Sequence, residues 1–238
     1  MLTAVSLNRN MIALAMVKGK ILWKHSRTDG DLIATYLDEN WYLKTNLDVF
    51  KANMAPRHHY RKYGQFEHRS PSPLFDSEWY LSVNKDVSAA SILPLHHYHH
   101  FGAREMRSPH PLFDSYWVEN QVDGLASIEF SPLDYYLSIG YKDLISPHPL
   151  FDEEYYQSQQ IGDSAGEIAG LLHYVTEGFR HGLNPHPFFN EKWYQATSNY
   201  GGRRNTPGLV HYLKHGWIEK KSPHPLIDPL KLDTIDLR

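Results

Sequence analysis

Apolar and polar positions recur along this chain at a fixed interval. Each recurrence brings an apolar pair, an Asp or Asn, and then a run with large rings at its third and fourth positions, as in Leu74-Phe-Asp-Ser-Glu-Trp-Tyr80. The Asp or Asn stands at five places that are 38 residues apart (76−38, 114−76, 152−114, 190−152): Asp38, Asp76, Asp114, Asp152 and Asn190. A period of roughly 20–50 residues is typical of stacked repeats that bury their apolar faces on one another. The pattern therefore predicts an all-α fold, an α-solenoid of helix-turn-helix repeats.

The interval divides the chain into five units between a cap and a tail. Residues 1–37 are interpreted as a degenerate N-terminal cap, because Tyr36-Leu37-Asp38 stands where Leu-Phe-Asp stands later, and residues 228–238 form the tail. Units 1 to 5 are residues 38–75, 76–113, 114–151, 152–189 and 190–227.

Each unit is predicted to open a first helix, helix A, at its Asp or Asn, whose side-chain oxygen can accept from free amides of the first turn. The residue before this cap and the fourth helical residue, such as Phe75 and Tyr80, have the spacing of a hydrophobic staple. The third helical position carries a large ring throughout: Trp41, Trp79, Trp117, Tyr155 and Trp193. We expect these rings to pack in the core, since monomers seldom expose such a patch. Stacking on a carbohydrate is the alternative.

A second helix, helix B, is predicted to open at Pro56, Pro94, Pro132 or Pro207, because Pro suits the first helical position. Helix B ends near a recurrent glycine: Gly64, Gly102, Gly140, Gly178 and Gly216. This glycine either caps the helix in the left-handed conformation or lies where a neighbouring group comes close.

Composition and charge exclude several classes of function. The chain has 238 residues, no Cys and a formal net charge of −3, which excludes disulfides, Cys-based metal sites and a global attraction to nucleic acid. The most apolar run, Met11–Val17, is far shorter than the roughly 20 residues of a membrane span. We expect a cytoplasmic protein, at most at a membrane face, and secretion is the weaker expectation.

Cationic side chains supply the candidate binding residues. A basic and aromatic stretch in unit 1 and a pair of arginines in unit 5 could bind an anionic partner, although a solvated helix face is the plain alternative. The candidates are Arg57, Arg61, Lys62, Arg69, Arg203 and Arg204.

Histidine is abundant, with 16 residues, and supplies an alternative chemistry. Clusters at helical spacing could bind a transition metal, although equivalent histidines of successive units lie too far apart to share one ion. The candidate ligands are His96, His99, His100, His173, Glu177, His181, His211 and His215. No cofactor and no catalytic residue are predicted, since the sequence has no Gly-x-Ser-x-Gly, P-loop or Gly-x-Gly-x-x-Gly motif. The recurrent histidines are expected to bridge units by hydrogen bonds.

The repeated phrase, seen whole from Leu74 to Asp114, resembles tandem repeats that flank bacterial glycosyltransferases and rhamnan-synthesis-like proteins. The resemblance covers about residues 38 to 228 and implies an accessory role in polysaccharide or glycan assembly. It carries no catalytic residue onto this chain. We therefore expect a non-enzymatic scaffold that binds a partner protein or a glycan and that can form homo-oligomers, with a metal-binding protein or metalloenzyme as the alternative.

Overall fold

A computed structural model describes residues 5–6, 29–125, 131–160, 166–199 and 206–228 of the chain. The described residues are mainly helical, in agreement with the predicted all-α class. The two strands among them, Val5–Ser6 and Val122–Asp123, pair in parallel over two residues. Most of the predicted N-terminal cap and the tail after Asp228 lie outside the described residues, and the elements described within the cap are the strand Val5–Ser6 and the helix Asp29–Tyr36. No helix in the described ranges is long and apolar enough to cross a membrane.

Helix A begins where the sequence predicts it in all five units. Each Asp or Asn has extended backbone angles and accepts a hydrogen bond from the amide three residues later, at 2.9–3.0 Å. The N-terminal caps are therefore confirmed. The bounds of helix A are Glu39–Thr45, Ser77–Val83, Ser115–Asn120, Glu153–Ser158 and Glu191–Thr197.

Units 1 and 2 contain a short helix that the sequence analysis did not predict. Leu47–Lys51 and Lys85–Ala89 follow helix A directly after Asn46 and Asn84. The amide side chain of each Asn donates to the carbonyl of the tyrosine four residues earlier, at 2.8 Å, and so ends helix A at this point. The connector in these units is consequently helical and not an open loop.

Helix B starts as an α-helix and continues, in four units, as one wide π-helical turn. Its α-helical parts are Pro56–His59, Pro94–His97, Pro132–Tyr135, Gly170–Thr176 and Gly208–His211. The π-helical turns are Tyr60–Gly64, Tyr98–Gly102, Tyr136–Gly140 and Tyr212–Gly216, and unit 4 has the 3-10 turn Gly178–His181 instead. Proline is the first helical residue in units 1 to 3, as predicted. The prediction for Pro207 is wrong by one residue, because Pro207 precedes the helix and Gly208 opens it.

The recurrent glycine of helix B is explained by close approach. A Cβ atom on Gly102 would lie 2.2 Å from the hydroxyl oxygen of Tyr80, and the tyrosine of helix A contacts the glycine in the same way in units 1, 4 and 5. Gly102 does not have a positive φ angle, so the left-handed cap is excluded. Unit 3 has Val118 in place of the tyrosine, and there the atom nearest to the Cβ position on Gly140 is a ring carbon of Tyr135 at 3.1 Å.

The prediction that the tryptophans form the core is wrong. Trp41, Trp79 and Trp117 are half-buried, and Trp193 is 37% exposed. The fully buried side chain is the next one, at the fourth helical position: Tyr42, Tyr80, Val118, Tyr156 and Tyr194. This residue packs on the apolar residue before the cap, as with Phe75 and Tyr80, whose ring centroids are 5.5 Å apart. The hydrophobic staple therefore selects which of the two neighbouring rings is buried.

The start of each unit is joined to the linker at the end of the same unit. The backbone amide of each helix-A cap donates to a proline carbonyl of the following linker, for example from Asp76 to Pro109 at 3.0 Å. The same bond occurs at 2.9–3.1 Å in every unit. Because proline offers only its carbonyl, the direction of this bond is determined by the sequence. The five donor–acceptor pairs are Asp38–Pro71, Asp76–Pro109, Asp114–Pro147, Asp152–Pro185 and Asn190–Pro223.

Contacts also join units that are not neighbours. The buried side chains form two clusters, one within residues 32–98 and the other mainly within residues 112–210. Leu74, from the linker of unit 1, belongs to the second cluster. The ammonium group of Lys214 in unit 5 pairs with the carboxylate of Asp76 in unit 2. The chain therefore returns on itself after about three units.

Replacing Gly102 with Ala tests the close approach of the tyrosine hydroxyl. We expect a loss of roughly 1–3 kcal/mol in the free energy of unfolding, as for overpacked cores, because the new methyl group overlaps the oxygen of Tyr80. Gly140→Ala is the matched control and is expected to cost less, since unit 3 has no hydroxyl at this place. Chemical denaturation measures both. Equal losses for the two variants would show that the hydroxyl is not the cause.

Candidate functional site

A tyrosine–histidine pair links helix A to helix B in four units. The hydroxyl of Tyr80 lies 2.9 Å from Nδ1 of His97, and the equivalent distances are 2.9 Å for Tyr42–His59 and 2.7 Å for Tyr156–His173 and Tyr194–His211. These hydrogen bonds join residues of one unit, so the prediction that the recurrent histidines bridge units is wrong for this set. Unit 3 has Val118 and Tyr135 at the two positions.

The protonation states of these pairs follow from their burial. Desolvation raises the pKa of Tyr42 to about 12 and lowers the pKa of His97 and of His173. The phenol therefore keeps its proton, and we assign it as the donor to a neutral imidazole at Nδ1, with the ring proton on Nε2. A neutral, hydrogen-bonded imidazole in the helix interface holds the two helices together.

The linker histidines stiffen their own turns. Nδ1 of His110 accepts from the amide of Leu112 at 3.1 Å, and His148, His186 and His224 accept from the residue two places later at 3.0–3.2 Å. His110 is buried, and desolvation lowers its pKa to about 4. Its ring is consequently neutral at physiological pH and acts as an acceptor.

Arg69 joins the linker of unit 1 to the end of helix A in the same unit. Its guanidinium group donates to Asn46 and to both carboxylate oxygens of Asp48, at 2.8–2.9 Å, and to Glu67 at 2.7 Å. Arg107 makes the same contacts in unit 2, with Asn84, Asp86 and Glu105. The hydrogen bond from Arg69 lowers the pKa of Asp48 to about 2. The repetition of the arrangement in unit 2 identifies Arg69 as a structural clamp between helix A and the linker.

The other predicted cationic residues are dispersed. Arg57 donates to Glu39 at 2.7 Å in a surface ion pair. Arg61 is exposed, and the exposed Lys62 lies over the ring of Tyr63 at 5.1 Å. Arg203 and Arg204 lie outside the described residues. Two of the six candidates are thus engaged in ion pairs within the chain, and a binding role for Arg61 and Lys62 stays a prediction.

The predicted metal clusters do not converge in the described parts of the chain. The rings of His99 and His100 are 4.9 Å apart, those of His96 and His100 6.3 Å, and those of His211 and His215 5.4 Å. His173 is already bonded to Tyr156, and Glu177 lies near Arg180 at 3.8 Å. Nowhere in the described ranges do three or more His, Asp or Glu side chains form a group that could hold a metal ion.

Two buried carboxylates, Glu153 and Glu191, were not predicted from the sequence. Glu153 is fully buried and accepts from the hydroxyl of Tyr136 at 2.6 Å, from the amide of Gly170 at 2.7 Å and from Gln157 at 2.8 Å. Burial raises the pKa of Glu153, and these three hydrogen bonds oppose the rise. The Tyr136 hydroxyl in turn accepts from the amide of Leu171 at 3.1 Å. Glu191 makes the equivalent bonds with Tyr174, Gly208 and Gln195.

The first residue of helix B changes together with the first residue of helix A, the position that Glu153 and Glu191 occupy. Units 4 and 5 combine the buried Glu with a glycine, which supplies the amide donor. Units 2 and 3 combine Ser77 or Ser115 with Pro94 or Pro132, which have no amide hydrogen. In unit 1, Glu39 occurs with Pro56 and is half-exposed, paired with Arg57 instead. The carboxylate is therefore buried only where a donor faces it, and it joins neighbouring units as a structural group.

The third position of helix A carries a half-exposed ring in every unit. Hydrogen bonds within the protein do not explain why this ring recurs. Trp41, Trp79, Trp117, Tyr155 and Trp193 occupy one position in five consecutive units and are each partly open to solvent. Indole and phenol faces are suited to stacking on flat, weakly polar partners. These five residues, the aromatic row, form the best candidate binding site.

Comparisons with known proteins do not bear on the assignment of the aromatic row as a binding site. No protein-family model matches the chain, and no curated protein or solved structure matches it at a significant level.

Acidification tests the neutral linker histidine. The pKa of a histidine in an unfolded chain is ~6.5. The unfolded chain therefore binds a proton between pH ~6.5 and ~4 that folded His110, facing Asp76, Lys214 and His148, does not. The contribution of neutral His110 to the free energy of unfolding is fully present above pH ~6.5. It is lost as the pH falls towards ~4, at up to ~1.4 kcal/mol per pH unit. His110→Ser, which copies Ser72 of unit 1, should flatten the dependence of unfolding free energy on pH. An unchanged slope contradicts the assignment.

A double-mutant cycle tests the pairing of Glu153 with Gly170. Gly170→Pro removes an amide donor from a buried carboxylate, and we expect it to cost at least ~1–3 kcal/mol of unfolding free energy. Glu153→Ser combined with Gly170→Pro copies units 2 and 3 and should recover a large part of that loss. Strictly additive costs of the two substitutions, measured by denaturation, would exclude the proposed coupling.

Proposed function

We propose that this chain is a non-enzymatic α-solenoid scaffold that binds a glycan along its aromatic row. Hydrogen bonds between neighbouring units support the solenoid: Tyr136 of unit 3 donates to Glu153 of unit 4, and Tyr174 of unit 4 donates to Glu191 of unit 5. In such a stack, equivalent side chains of neighbouring units follow one another at the roughly 8–10 Å spacing of packed helices. The aromatic row then presents one ring per unit along the scaffold.

The recurrence of partly exposed rings is the observation that carries this proposal. The recurrent tyrosines and histidines of the helix interface, and the clamp arginines Arg69 and Arg107, have partners inside the protein, so their recurrence is explained by folding. The partial exposure of Trp79 and Trp117 is not required by any hydrogen bond that holds a unit together. Rings of this kind, held on rigid helices, lose little conformational entropy when a partner stacks on them.

The resemblance of the repeats to those beside bacterial glycosyltransferases supports a role in polysaccharide assembly, and with it a cytoplasmic position at a membrane face. A protein partner in place of a glycan is the outcome to be separated by experiment. The metal-binding alternative has no supporting cluster in the described ranges.

Substitution of two neighbouring rings tests the proposal. Affinity gel electrophoresis against purified bacterial capsular and O-antigen polysaccharides should show a retarded wild-type band. Trp79→Ala with Trp117→Ala should weaken this binding by roughly five-fold to a hundred-fold, because each stacked ring contributes about 0.5–1.5 kcal/mol. Tyr116→Ala is the matched control, since this ring is more exposed but lies outside the row.

Glycan binding that is unchanged in the double variant would refute the role of the row, as would a tightly bound protein partner without any glycan binding.

Elemental analysis of untagged protein tests the metal-binding alternative. A stoichiometric transition metal that is lost in His99→Ala with His100→Ala would support the metal-binding alternative.

A further inference from the structure

A cluster of basic side chains lies where the end of helix B in unit 4 meets helix A of unit 5. Arg180 and His181 are exposed residues of the 3-10 turn Gly178–His181, and the exposed Lys192 belongs to helix A of unit 5. We call these three side chains the unit 4–5 cluster. None of the six cationic residues selected from the sequence belongs to it.

Contacts place the side chains of this cluster on one turn. The methylene groups of Lys192 lie over Gly182, the residue after the turn, since a Cβ atom on Gly182 would be 2.7 Å from Cγ of Lys192 and 3.0 Å from its Cδ. Gln195, one helical turn after Lys192, donates to the carbonyl of Phe179 at 3.3 Å and so fixes the helix against the turn. Arg180 lies over the ring of the same Phe179, 4.6 Å from its centroid. Lys192 and Arg180 are therefore anchored on residues 182 and 179 of one turn.

The absence of a side chain at Gly182 makes room for Lys192. The residues at the same position of the other units are His68, Met106, Leu144 and Lys220. All four have positive φ angles, as Gly182 does, so the backbone conformation alone does not require glycine here. A side chain on Gly182 would instead occupy the place of the Lys192 stem. Because this glycine and this lysine each occur in one unit only at their positions, the pair holds Lys192 at a defined place at this joint.

The unit 4–5 cluster differs in charge from the equivalent positions at the other joints between units. Each of those joints carries at least one acid at the three positions: Glu67, Glu78, Glu105, Asp143 and Glu154. In the unit 4–5 cluster one acid, Glu177, lies 3.8 Å from Arg180, and Glu191 beside Lys192 is buried and accepts hydrogen bonds within the protein. Since the whole chain has a formal net charge of −3, the positive potential is confined to this joint.

The aromatic row passes beside the cluster. Trp193 follows Lys192 in helix A, and at 37% exposure it is the most open ring of the row. A sugar stacked on Trp193 therefore lies beside the turn of helix that carries Lys192. A substituent on the next sugar of the chain can then reach the ammonium group of this lysine.

We propose that the unit 4–5 cluster binds an oxyanion substituent of the glycan, a carboxylate or a phosphate, so that the scaffold selects acidic polysaccharides. This inference rests on the proposed function. The guanidinium group of Arg180 and the ammonium group of Lys192 both donate to oxyanions, the first in a fixed planar fork and the second as a point charge. Exposed ion pairs are individually weak and are screened by salt, so the selectivity is expected to decline at high ionic strength.

Titration of the ¹⁵N-labelled full chain with galacturonate, inorganic phosphate or galactose, at constant ionic strength, tests the cluster without any polysaccharide. The amide signals of Arg180, Gly182 and Lys192 should shift with galacturonate or phosphate and stay unchanged with galactose. The anion with the larger effect identifies the preferred substituent.

Charge-removing variants complete this titration. The shifts should be lost in the double variant Arg180→Gln with Lys192→Gln and retained in Lys142→Gln. Lys142 is the matched control, because it has the position of Arg180 in unit 3 and lies over the ring of Tyr141. Shifts that persist in the double variant would overturn the proposal, as would anions that leave the signals of the cluster unchanged.

A matched pair of polymers tests the selectivity: one acidic capsular polysaccharide, before and after its carboxyl groups are reduced to alcohols. Lys192→Gln should weaken binding of the acidic polymer roughly two- to five-fold and leave the reduced polymer unaffected. Trp79→Ala with Trp117→Ala should weaken the binding of both. Equal affinity of the wild type for the two polymers would contradict the proposal. Anion shifts at the cluster without binding of any polysaccharide would support an oxyanion site and refute the glycan-binding function.

Discussion

The structure depends on a tyrosine hydroxyl that is placed between the two helices of a unit. Tyr80 lies fully buried, contacts Phe75 before its own helix cap, bonds to His97 and approaches Gly102 closely. A buried hydroxyl without a partner would be costly, and a side chain at the glycine would exclude it. The ring, the imidazole and the glycine are thus required together, and they recur together in units 1, 2, 4 and 5.

The bond between the start of each unit and its own linker is of a different kind. A backbone amide and a proline carbonyl meet at every linker, so this contact is insensitive to side-chain identity apart from proline itself. Side chains add further contacts: the Arg69–Asp48 clamp within unit 1, and the buried Glu153 of unit 4, which accepts from Tyr136 of unit 3. This division explains how the units diverge in sequence while the amide-to-proline bond is retained.

Much of the unit could be predicted from the sequence, because its local signals agree. The cap at Asp76, the start of helix B at Pro94 and the close approach at Gly102 each follow from residue chemistry. The choice of the buried ring was predicted wrongly, since Trp79 and Tyr80 are adjacent and hydrophobicity alone does not separate them. The staple between Phe75 and Tyr80 held the necessary information.

Long-range features were less accessible from the sequence. The burial of Glu153 depends on a donor at Gly170, and the signal for it was the joint change from Ser and Pro to Glu and Gly between units. The contact of Lys214 with Asp76 depends on how the units wind, which no local pattern encodes. Stacking by the aromatic row was the alternative to core packing in the sequence analysis, and the partial exposure of these rings favours that alternative.

The central claim is that the recurrent polar side chains serve to hold helices together. The most direct test is the ring ¹⁵N NMR spectrum of His97 and His173 during a pH titration. The account predicts the proton on Nε2, an acceptor signature at Nδ1, and pKa values below the ordinary ~6.5 of histidine. Rings that carry the proton on Nδ1, titrate like free imidazole or shift on addition of zinc would contradict it.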